Sequence, residues 1–291
     1  MQGPEKLPFR AFYPRFYEGY VDGKSNKLPE HLMPKAHINY ENRMWDYNDN
    51  VPKFAAFGPK DPLNNDGTPK TGEKITVEYF GMGYGRADPI RFLLHHANVD
   101  FEYVGYDFAK WGELKGSGKG GEFNGLPRVT IDGKEYGQSL AILRMLGAKH
   151  GYYTPSDWQC AARVDLFLDA WVDMLDKSTG LALSAGGGKD MAEVLKEHET
   201  VIKNVHEPAI KAMEAQLTEV GGPYLAGSKL TIADCCMVAM LANIWENPAG
   251  PFSAQFAPVL KNYPKVQAYN LKLREAFKQR LNDPARKPCP F

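Results

Sequence analysis

Apolar and polar residues alternate from Ile75 to Tyr79, and a β-strand is predicted from Ile75 to Phe80. A glycine-rich turn follows. Asp88 and Pro89 then mark the start of a helix, because aspartate caps helices and proline suits their first turn. The elements predicted after this point are a helix to about residue 97, strands at 101–106, 128–131 and, more weakly, 135–136, and a helix from Ser139. This order indicates a small α/β unit over residues 75–152.

Beyond residue 156 the apolar residues recur at helical spacing. Four long helices are predicted, at about 157–176, 191–217, 231–243 and 264–281. Pro208 should bend the second of these helices. Thr231, with Asp234 three residues later, forms a capping-box pattern at the start of the third. An α/β unit followed by an all-helical region predicts two packed domains, 75–152 and 156–291.

Residues 1–74 keep neither period for long. They hold nine of the chain's 21 prolines, together with many aromatic residues. Prolines at this density disrupt helices and strands, whereas the aromatic content exceeds that of ordinary disordered segments. We therefore predict an irregular extended arm that gains stability by laying its rings on another surface. That surface is either the chain's own domain or, as the favoured interpretation, a partner protein.

Composition and charge narrow the function classes. The 291 residues include 35 basic and 35 acidic side chains, and this zero net charge argues against nucleic acid as the main partner. No apolar run in the sequence reaches the roughly 18 residues needed to span a bilayer. The four cysteines have no regular spacing, and no cysteine–histidine pattern indicates a metal site. We expect reduced thiols, no metal cofactor and a cytoplasmic, reducing compartment.

Residues 126–139 carry the features that best indicate a ligand. Leu126-Pro127 precedes a short strand, and a bent peptide there would turn the N–H and C=O of Leu126 outward, as a free edge for another extended peptide. Gln138 and Ser139 open a helix, and backbone N–H groups with a hydroxyl at a helix start favour a carboxylate. Together these parts predict a site for a small peptide that carries an acid group.

Two glycine-rich stretches are weaker signals. Residues 81–85 follow a strand as a dinucleotide-binding loop does, but Arg86 stands where the third required glycine should be. Residues 186–188 with Lys189 suggest a phosphate loop, but the next residue is Asp190 instead of serine or threonine. A turn and a flexible loop between helices are the favoured interpretations.

Five short motifs stand in order between residues 79 and 234. They are Tyr79-Phe80, Gly85-Arg86-Ala87-Asp88-Pro89-Ile90-Arg91, Gly125-Leu126-Pro127, Gln138-Ser139-Leu140-Ala141-Ile142-Leu143-Arg144 and Thr231-Ile232-Ala233-Asp234. This ordered set resembles the glutathione transferase family, particularly its tyrosine-type cytosolic classes. The resemblance covers about residues 75–291 and leaves residues 1–74 unmatched.

The resemblance implies a thioredoxin-like domain followed by an all-helical domain, and usually a homodimer. Glutathione, as co-substrate, would lie along the edge before Pro127, whose peptide bond is predicted to be cis. The implied glutathione-binding residues are Trp111, Lys115, Leu126, Pro127, Gln138, Ser139 and Asp169, the last reaching across a dimer. Tyr79 matches the catalytic tyrosine. Tyr84 and Arg86 are secondary candidates, because the turn before Arg86 is one residue longer than usual in the family.

Physical chemistry supports the role of Tyr79 separately. The thiolate is the nucleophile, and a free thiol has a pKa of about 8.5. A phenol that donates to sulfur favours the charged form. Lowering the thiol pKa by about two units takes roughly 2.7 kcal/mol, which one charge-assisted hydrogen bond and a nearby helix N-terminus could supply. The thiolate would then attack a small apolar electrophile.

Each candidate also has an ordinary structural interpretation. Tyr79 can be a strand aromatic and Trp111 a packing residue, Lys115 and Asp169 can be solvated charges, and Gln138-Ser139 can be a plain helix cap. The whole chain likewise has two interpretations. One is a glutathione transferase. The other is a structural subunit of that fold, docked through residues 1–74 into a larger protein complex, with weak or no catalysis. A cytoskeletal or organellar assembly is left open.

Overall fold

The structure is a computed structural model that describes residues 53–54, 62–63, 73–81, 84–284 and 286. The chain divides into two compact units, Met1–Gly72 and Glu73–Phe291. In the first unit, strands β1 (Lys53–Phe54) and β2 (Pro62–Leu63) pair antiparallel. The arm predicted over residues 1–74 lies largely outside the described residues and stays a prediction.

A four-stranded sheet opens the second unit. Its strands are β3 (Ile75–Phe80), β4 (Glu102–Tyr106), β5 (Arg128–Ile131) and β6 (Lys134–Tyr136). Their order is β4-β3-β5-β6; β4 runs parallel to β3, and the other neighbours are antiparallel. The predicted bounds of β3 and β5 are confirmed. Buried and partly buried residues alternate along β3, so one face of this strand lies on the core.

The register of the central pair brings two predicted features together. Glu78 of β3 lies opposite Arg128 of β5. In an antiparallel pair the next residues outward are also neighbours. Leu126-Pro127, directly before β5, therefore lies beside the end of β3 that carries Tyr79.

Three helices accompany this sheet. They are α1 (Asp88–His96), α2 (Phe108–Gly116) and α3 (Ser139–His150). No helix was predicted between the strands at 101–106 and 128–131, and α2 corrects this. The carboxylate of Asp107 accepts a hydrogen bond from the backbone N–H of Lys110 at 2.7 Å and so caps the helix. Trp111 is the one buried residue of α2, so no apolar period marks the helix in the sequence.

The remainder of the unit is helical. Its elements are α4 (Trp158–Gly186), α5 (Met191–Val201), a π-helical segment (Ile202–His206), α6 (Glu207–Val220), α7 (Ile232–Met240), a second π-helical segment (Leu241–Trp245), α8 (Ser253–Leu260), α9 (Pro264–Ala276) and α10 (Lys278–Leu281). Among the described residues, none of these helices combines the length and apolarity needed to span a membrane.

Three helical predictions need correction. The first long helix continues ten residues past 176, to Gly186. The helix predicted over 191–217 is interrupted by the π-helical segment just before Pro208, where the missing proline N–H disturbs regular helical hydrogen bonding. Helix α8 was not predicted, because Pro258 lies inside it and reads as a breaker.

Helix α7 forms the centre of the helical core. All nine of its residues are buried, and the predicted capping box at its start is confirmed. Asp234 accepts hydrogen bonds from the backbone N–H of Thr231 at 2.7 Å and from the hydroxyl of Tyr269 at 2.7 Å. The three cysteines that the structure describes, Cys160, Cys235 and Cys236, are free thiols.

Candidate active site

Tyr79 stands at the end of β3 and is almost fully buried. Its phenol oxygen accepts a hydrogen bond from the backbone N–H of Arg86 at 3.2 Å, and among the described residues that is its single hydrogen bond. Burial raises the pKa of Tyr79 above that of an ordinary phenol, although the bond from Arg86 opposes this in part. The phenol therefore keeps its proton at neutral pH and can donate it to a ligand.

A glycine holds the turn against this phenol. Gly85 has a φ of +90°, a region that L side chains rarely adopt. A Cβ atom at this position would lie 2.9 Å from the hydroxyl oxygen of Tyr79. Glycine is thus required here both by the backbone conformation and by the close approach of the tyrosine.

Arg86 ties the same turn to the helical region. Its guanidinium contacts both carboxylate oxygens of Asp176 on α4, at 2.7 and 2.6 Å. Both contacts come from one guanidinium nitrogen, Nη2, and the ion pair is partly exposed, so its contribution to stability is small, at about 0–1 kcal/mol. The ion pair links α4 to the turn whose backbone N–H meets Tyr79.

An apolar cleft opens beside Tyr79, with a volume of about 170 Å³. One wall comes from the sheet side of the unit and the other from the helical side. The sheet-side residues are Tyr79, Phe80, Tyr84, Gly85 and Phe108. The helical residues are Leu175, Ser178, Thr179, Ala182, Leu183, Asn243, Ile244 and Phe252. Tyr84, a secondary candidate in the sequence, is buried in the first wall. Met82 and Gly83 of the turn lie outside the described residues.

The predicted peptide edge has open hydrogen-bonding groups. The Leu126–Pro127 bond is cis, as predicted. Within the described part of the chain, neither the N–H nor the C=O of Leu126 makes a hydrogen bond. Gln138 has a φ of +67°, which is rare for a residue with a side chain and is concentrated at functional sites. The side-chain amide of Gln138 and the hydroxyl of Ser139 also lack hydrogen-bond partners among the described residues.

The three remaining candidates have different surroundings. Trp111 is buried between the rings of Tyr106 and the guanidinium of Arg128, at 6.0 and 5.7 Å, so it packs within the sheet side of the unit. Lys115 is exposed near the end of α2. Asp169 is exposed on α4. A glutathione-binding role for each stays a prediction.

Several cleft residues were not predicted from the sequence. Ser178 lines the cleft from α4, whose apolar period indicates burial and says nothing of a cleft. Phe252 lines it from the position directly before α8, a stretch for which no element was predicted. Asp176, on α4, pairs with Arg86 and is not part of the cleft lining. Asn243 also lines the cleft, and its amide donates to the carboxylate of Asp88 at 2.8 Å. A polar residue inside an otherwise apolar helical segment was the one available signal. No group of three or more potential metal-ligating side chains occurs among the described residues.

Comparison with known proteins identifies the family. A family model described as "Glutathione S-transferase, C-terminal domain" matches residues 176–280. Glutathione S-transferase 2 of Manduca sexta is 30% identical over 203 residues, covering 67% of this chain and 95% of that protein. Glutathione S-transferase A3 of Homo sapiens is 30% identical over 202 residues, covering 69% of this chain and 83% of that protein.

Solved structures agree with these relatives. The glutathione S-transferase from Ascaris lumbricoides is 26% identical, with a TM-score of 0.59 over 75% of this chain and 100% of that one. A Nu-class transferase from Haemonchus contortus is 27% identical, with a TM-score of 0.57 over the same shares. A thioredoxin-like sheet unit followed by an all-helical region defines a transferase fold, as predicted. The chain belongs to the glutathione transferase family.

Proposed function

We propose that the chain is a glutathione transferase in which Tyr79 activates the thiol of glutathione toward a small apolar electrophile. The observation that carries this proposal is the Tyr79 phenol at the edge of the apolar cleft. Its oxygen accepts from the backbone N–H of Arg86, and its proton is free to donate. A donor at this position stabilises a thiolate more than a thiol, and so lowers the thiol pKa.

The glutathione peptide is proposed to lie along Leu126, with its acid group at Gln138 and Ser139. The unbonded N–H and C=O of Leu126 offer the two hydrogen bonds that an extended peptide needs. The start of α3, with the hydroxyl of Ser139, favours a carboxylate. The β3–β5 register supports this placement, because it brings the Leu126 edge beside Tyr79.

The reaction then follows from the two walls of the cleft. The thiolate sulfur forms a bond to the electrophilic carbon, and the leaving group departs with its electron pair. The proton of the thiol goes to solvent, since Tyr79 keeps its own. The apolar helical wall holds the electrophile next to the sulfur.

Retention on immobilised glutathione, together with conjugation of an aryl halide, tests this proposal. Both should be observed for the full chain. Replacing Tyr79 with phenylalanine should preserve retention and lower turnover roughly 10- to 100-fold, as expected for the loss of one to two pKa units of thiol activation. Absence of both retention and turnover in the unmodified protein would contradict it.

A homodimer is the proposed assembly. Trp158 and Leu166 are 72% and 67% exposed on α4, and Asp169 lies on the same exposed helix face. Large apolar side chains exposed close together often mark a protein interface. Leu166→Glu should convert a dimer to a monomer in light scattering after size exclusion. A monomeric unmodified protein would refute the proposal.

The assembly role of residues 1–74 rests on their proline and aromatic composition. We propose it as a second function, compatible with the first. Deleting residues 1–74 should release the protein from its native particle while the remainder keeps its circular dichroism spectrum. Unchanged co-purification after the deletion would count against an anchoring arm.

A further inference from the structure

Two buried histidines meet at Ser178, a serine of the helical wall of the cleft. The hydroxyl oxygen of Ser178 lies 3.0 Å from Nε2 of His198 and 2.8 Å from Nε2 of His206. Both imidazole rings are completely buried, and Ser178 is 1% exposed. Ser178 is also one of the residues that line the cleft. Burial of a polar group without full hydrogen bonding is unfavourable, so the hydrogen bonds of this serine must account for its burial.

Trp245 and Gln255 stand at the two ends of this network of hydrogen bonds, and they determine which atoms carry its protons. The indole N–H of Trp245 donates to Nδ1 of His206 at 3.1 Å, so a neutral His206 carries its proton on Nε2 and donates it to Ser178. The amide nitrogen of Gln255 donates to the carbonyl of Leu195 at 2.9 Å, which leaves the Gln255 oxygen to accept from Nδ1 of His198 at 2.8 Å.

It follows that His198 accepts at Nε2, and that the Ser178 hydroxyl must donate to it. Every hydrogen bond in this network is then donated in the same direction, from Trp245 through His206, Ser178 and His198 to Gln255. No donor faces another donor, provided that both rings are neutral. A charged ring would place N–H groups at both ring nitrogens and oppose Trp245 at His206, or the serine proton at His198.

The network of hydrogen bonds connects the elements that form the helical wall of the cleft. Ser178 belongs to α4, and Trp245 ends the π-helical segment that also carries the cleft residue Ile244. Phe252, another cleft residue, stacks on the His198 ring at 3.8 Å, three residues before Gln255. The cleft surfaces of three separate elements are thereby held by one set of hydrogen bonds and one ring stack.

The surroundings of the two rings are otherwise uncharged. Among the described residues, the two rings are contacted by Ser178 on α4, by Trp245 of the second π-helical segment, by Phe252 directly before α8, and by Gln255 and Phe256 on α8. The other histidine is the one titratable group whose charge bears on His206. Burial lowers the pKa of both histidines, that of His206 to about 3. Both rings are therefore neutral across the physiological range.

Resting on the proposed function, we propose that Ser178, His198 and His206 are positioning residues for the electrophile, which keep the helical wall of the cleft in register while both rings are neutral. They do not touch glutathione, which is assigned to the sheet side. Ser178 is not a nucleophile in this arrangement, since its hydroxyl is buried and engaged with both histidines.

Substitutions at Ser178 separate positioning from general stability. Ser178→Ala should raise KM for an aryl halide about tenfold, in keeping with the loss of a buried hydrogen-bonding group, and leave KM for glutathione within about twofold. Ser178→Thr, which keeps the hydroxyl, should restore most of the affinity. Ser184→Ala is the matched control. That serine is on the same helix, donates to its own helix at Leu181 and does not line the cleft.

Equal changes in both KM values, or no change in either, would overturn the proposal. If the unmodified protein has no turnover, the proposed function fails, and binding of anilinonaphthalene sulfonate to the cleft replaces the electrophile in the same comparison. A tenfold loss of dye affinity in Ser178→Ala supports the network of hydrogen bonds as the positioning device. Unchanged dye affinity overturns the proposal.

The nitrogen-15 spectrum of histidine-labelled, unmodified protein gives a test that needs no variant and no turnover. We expect His198 protonated on Nδ1 and His206 protonated on Nε2, both neutral at pH 7. The opposite tautomer at either ring, or a charged ring at pH 7, would overturn the proposal even if Ser178→Ala failed to fold.

Discussion

Replacing His206 with glutamine isolates what one buried neutral ring contributes to the pH dependence of stability. The ring is completely buried, contacts Ser178 and Trp245, and packs against Phe256. Glutamine is similar in reach and can still donate to Ser178, but it does not titrate. The difference in pH dependence between the two proteins therefore belongs to the His206 imidazole, together with its charge interaction with His198.

The magnitude follows from proton linkage. An unfolded histidine has a pKa of about 6.5, whereas burial, with a smaller contribution from His198, lowers the pKa of His206 to about 3 in the folded protein. As the pH falls below 6.5 the unfolded chain binds a proton and the folded chain does not. Stability is therefore complete above about pH 6.5 and is lost progressively down to about pH 3. At roughly 1.4 kcal/mol per pH unit, the loss between pH 7 and pH 5 is about 2 kcal/mol.

Urea unfolding at pH 7 and pH 5, followed by tryptophan fluorescence at one protein concentration, measures this difference. The free energy of unfolding should fall by about 2 kcal/mol more in the unmodified protein than in His206→Gln. His95→Gln, at an exposed position on α1, should change the pH dependence much less. Equal losses in the unmodified and His206→Gln proteins would refute the assignment of a buried neutral ring.

Other variants test the turn, the core and the bridge between them. Gly85→Ala should lower conjugation at least tenfold in steady-state assays, because its Cβ would displace the Tyr79 hydroxyl from the cleft, and unchanged kcat/KM would argue against that contact. Asp234→Ala should lower the free energy of unfolding by about 3 kcal/mol or more, since it removes the acceptor of hydrogen bonds from Leu225, Thr231 and Tyr269; a loss under about 1 kcal/mol in urea titration would contradict the capping role. Asp176→Asn should change stability by less than about 1 kcal/mol yet lower kcat by loosening the Arg86 turn, and an unaltered kcat would show that the pair does not position Tyr79.

Local pattern was enough to predict the sheet. The alternation of apolar and polar residues from Ile75 to Tyr79 indicates both the strand and the face that Tyr79 occupies. The capping box of Thr231 and Asp234 likewise carries its own geometry in four residues. Helices α2 and α8 lack such local signals, because one has a single buried residue and the other contains Pro258. Their formation depends on contacts with residues distant in the sequence, and the local pattern does not indicate those contacts.

The site divides in the same way. Tyr79, Leu126, Gln138 and Ser139 belong to short motifs within one small unit, so they could be proposed from the sequence. The helical wall could not, because Ser178, Asn243 and Phe252 converge from segments far apart in the chain. Nothing in the sequence pattern marks His198 and His206 as members of one set of hydrogen bonds. Their partners, Ser178, Trp245 and Gln255, lie between 20 and 57 residues away.

The ultraviolet absorbance of the thiolate, followed against pH in the glutathione complex, tests the role of Tyr79 most directly. In the unmodified protein we expect bound glutathione to ionise about two pH units below the free thiol value of about 8.5. In Tyr79→Phe the midpoint should return to about that free value. The same midpoint in both proteins, or ionisation near the free value in the unmodified protein, would contradict activation of the thiol by this phenol.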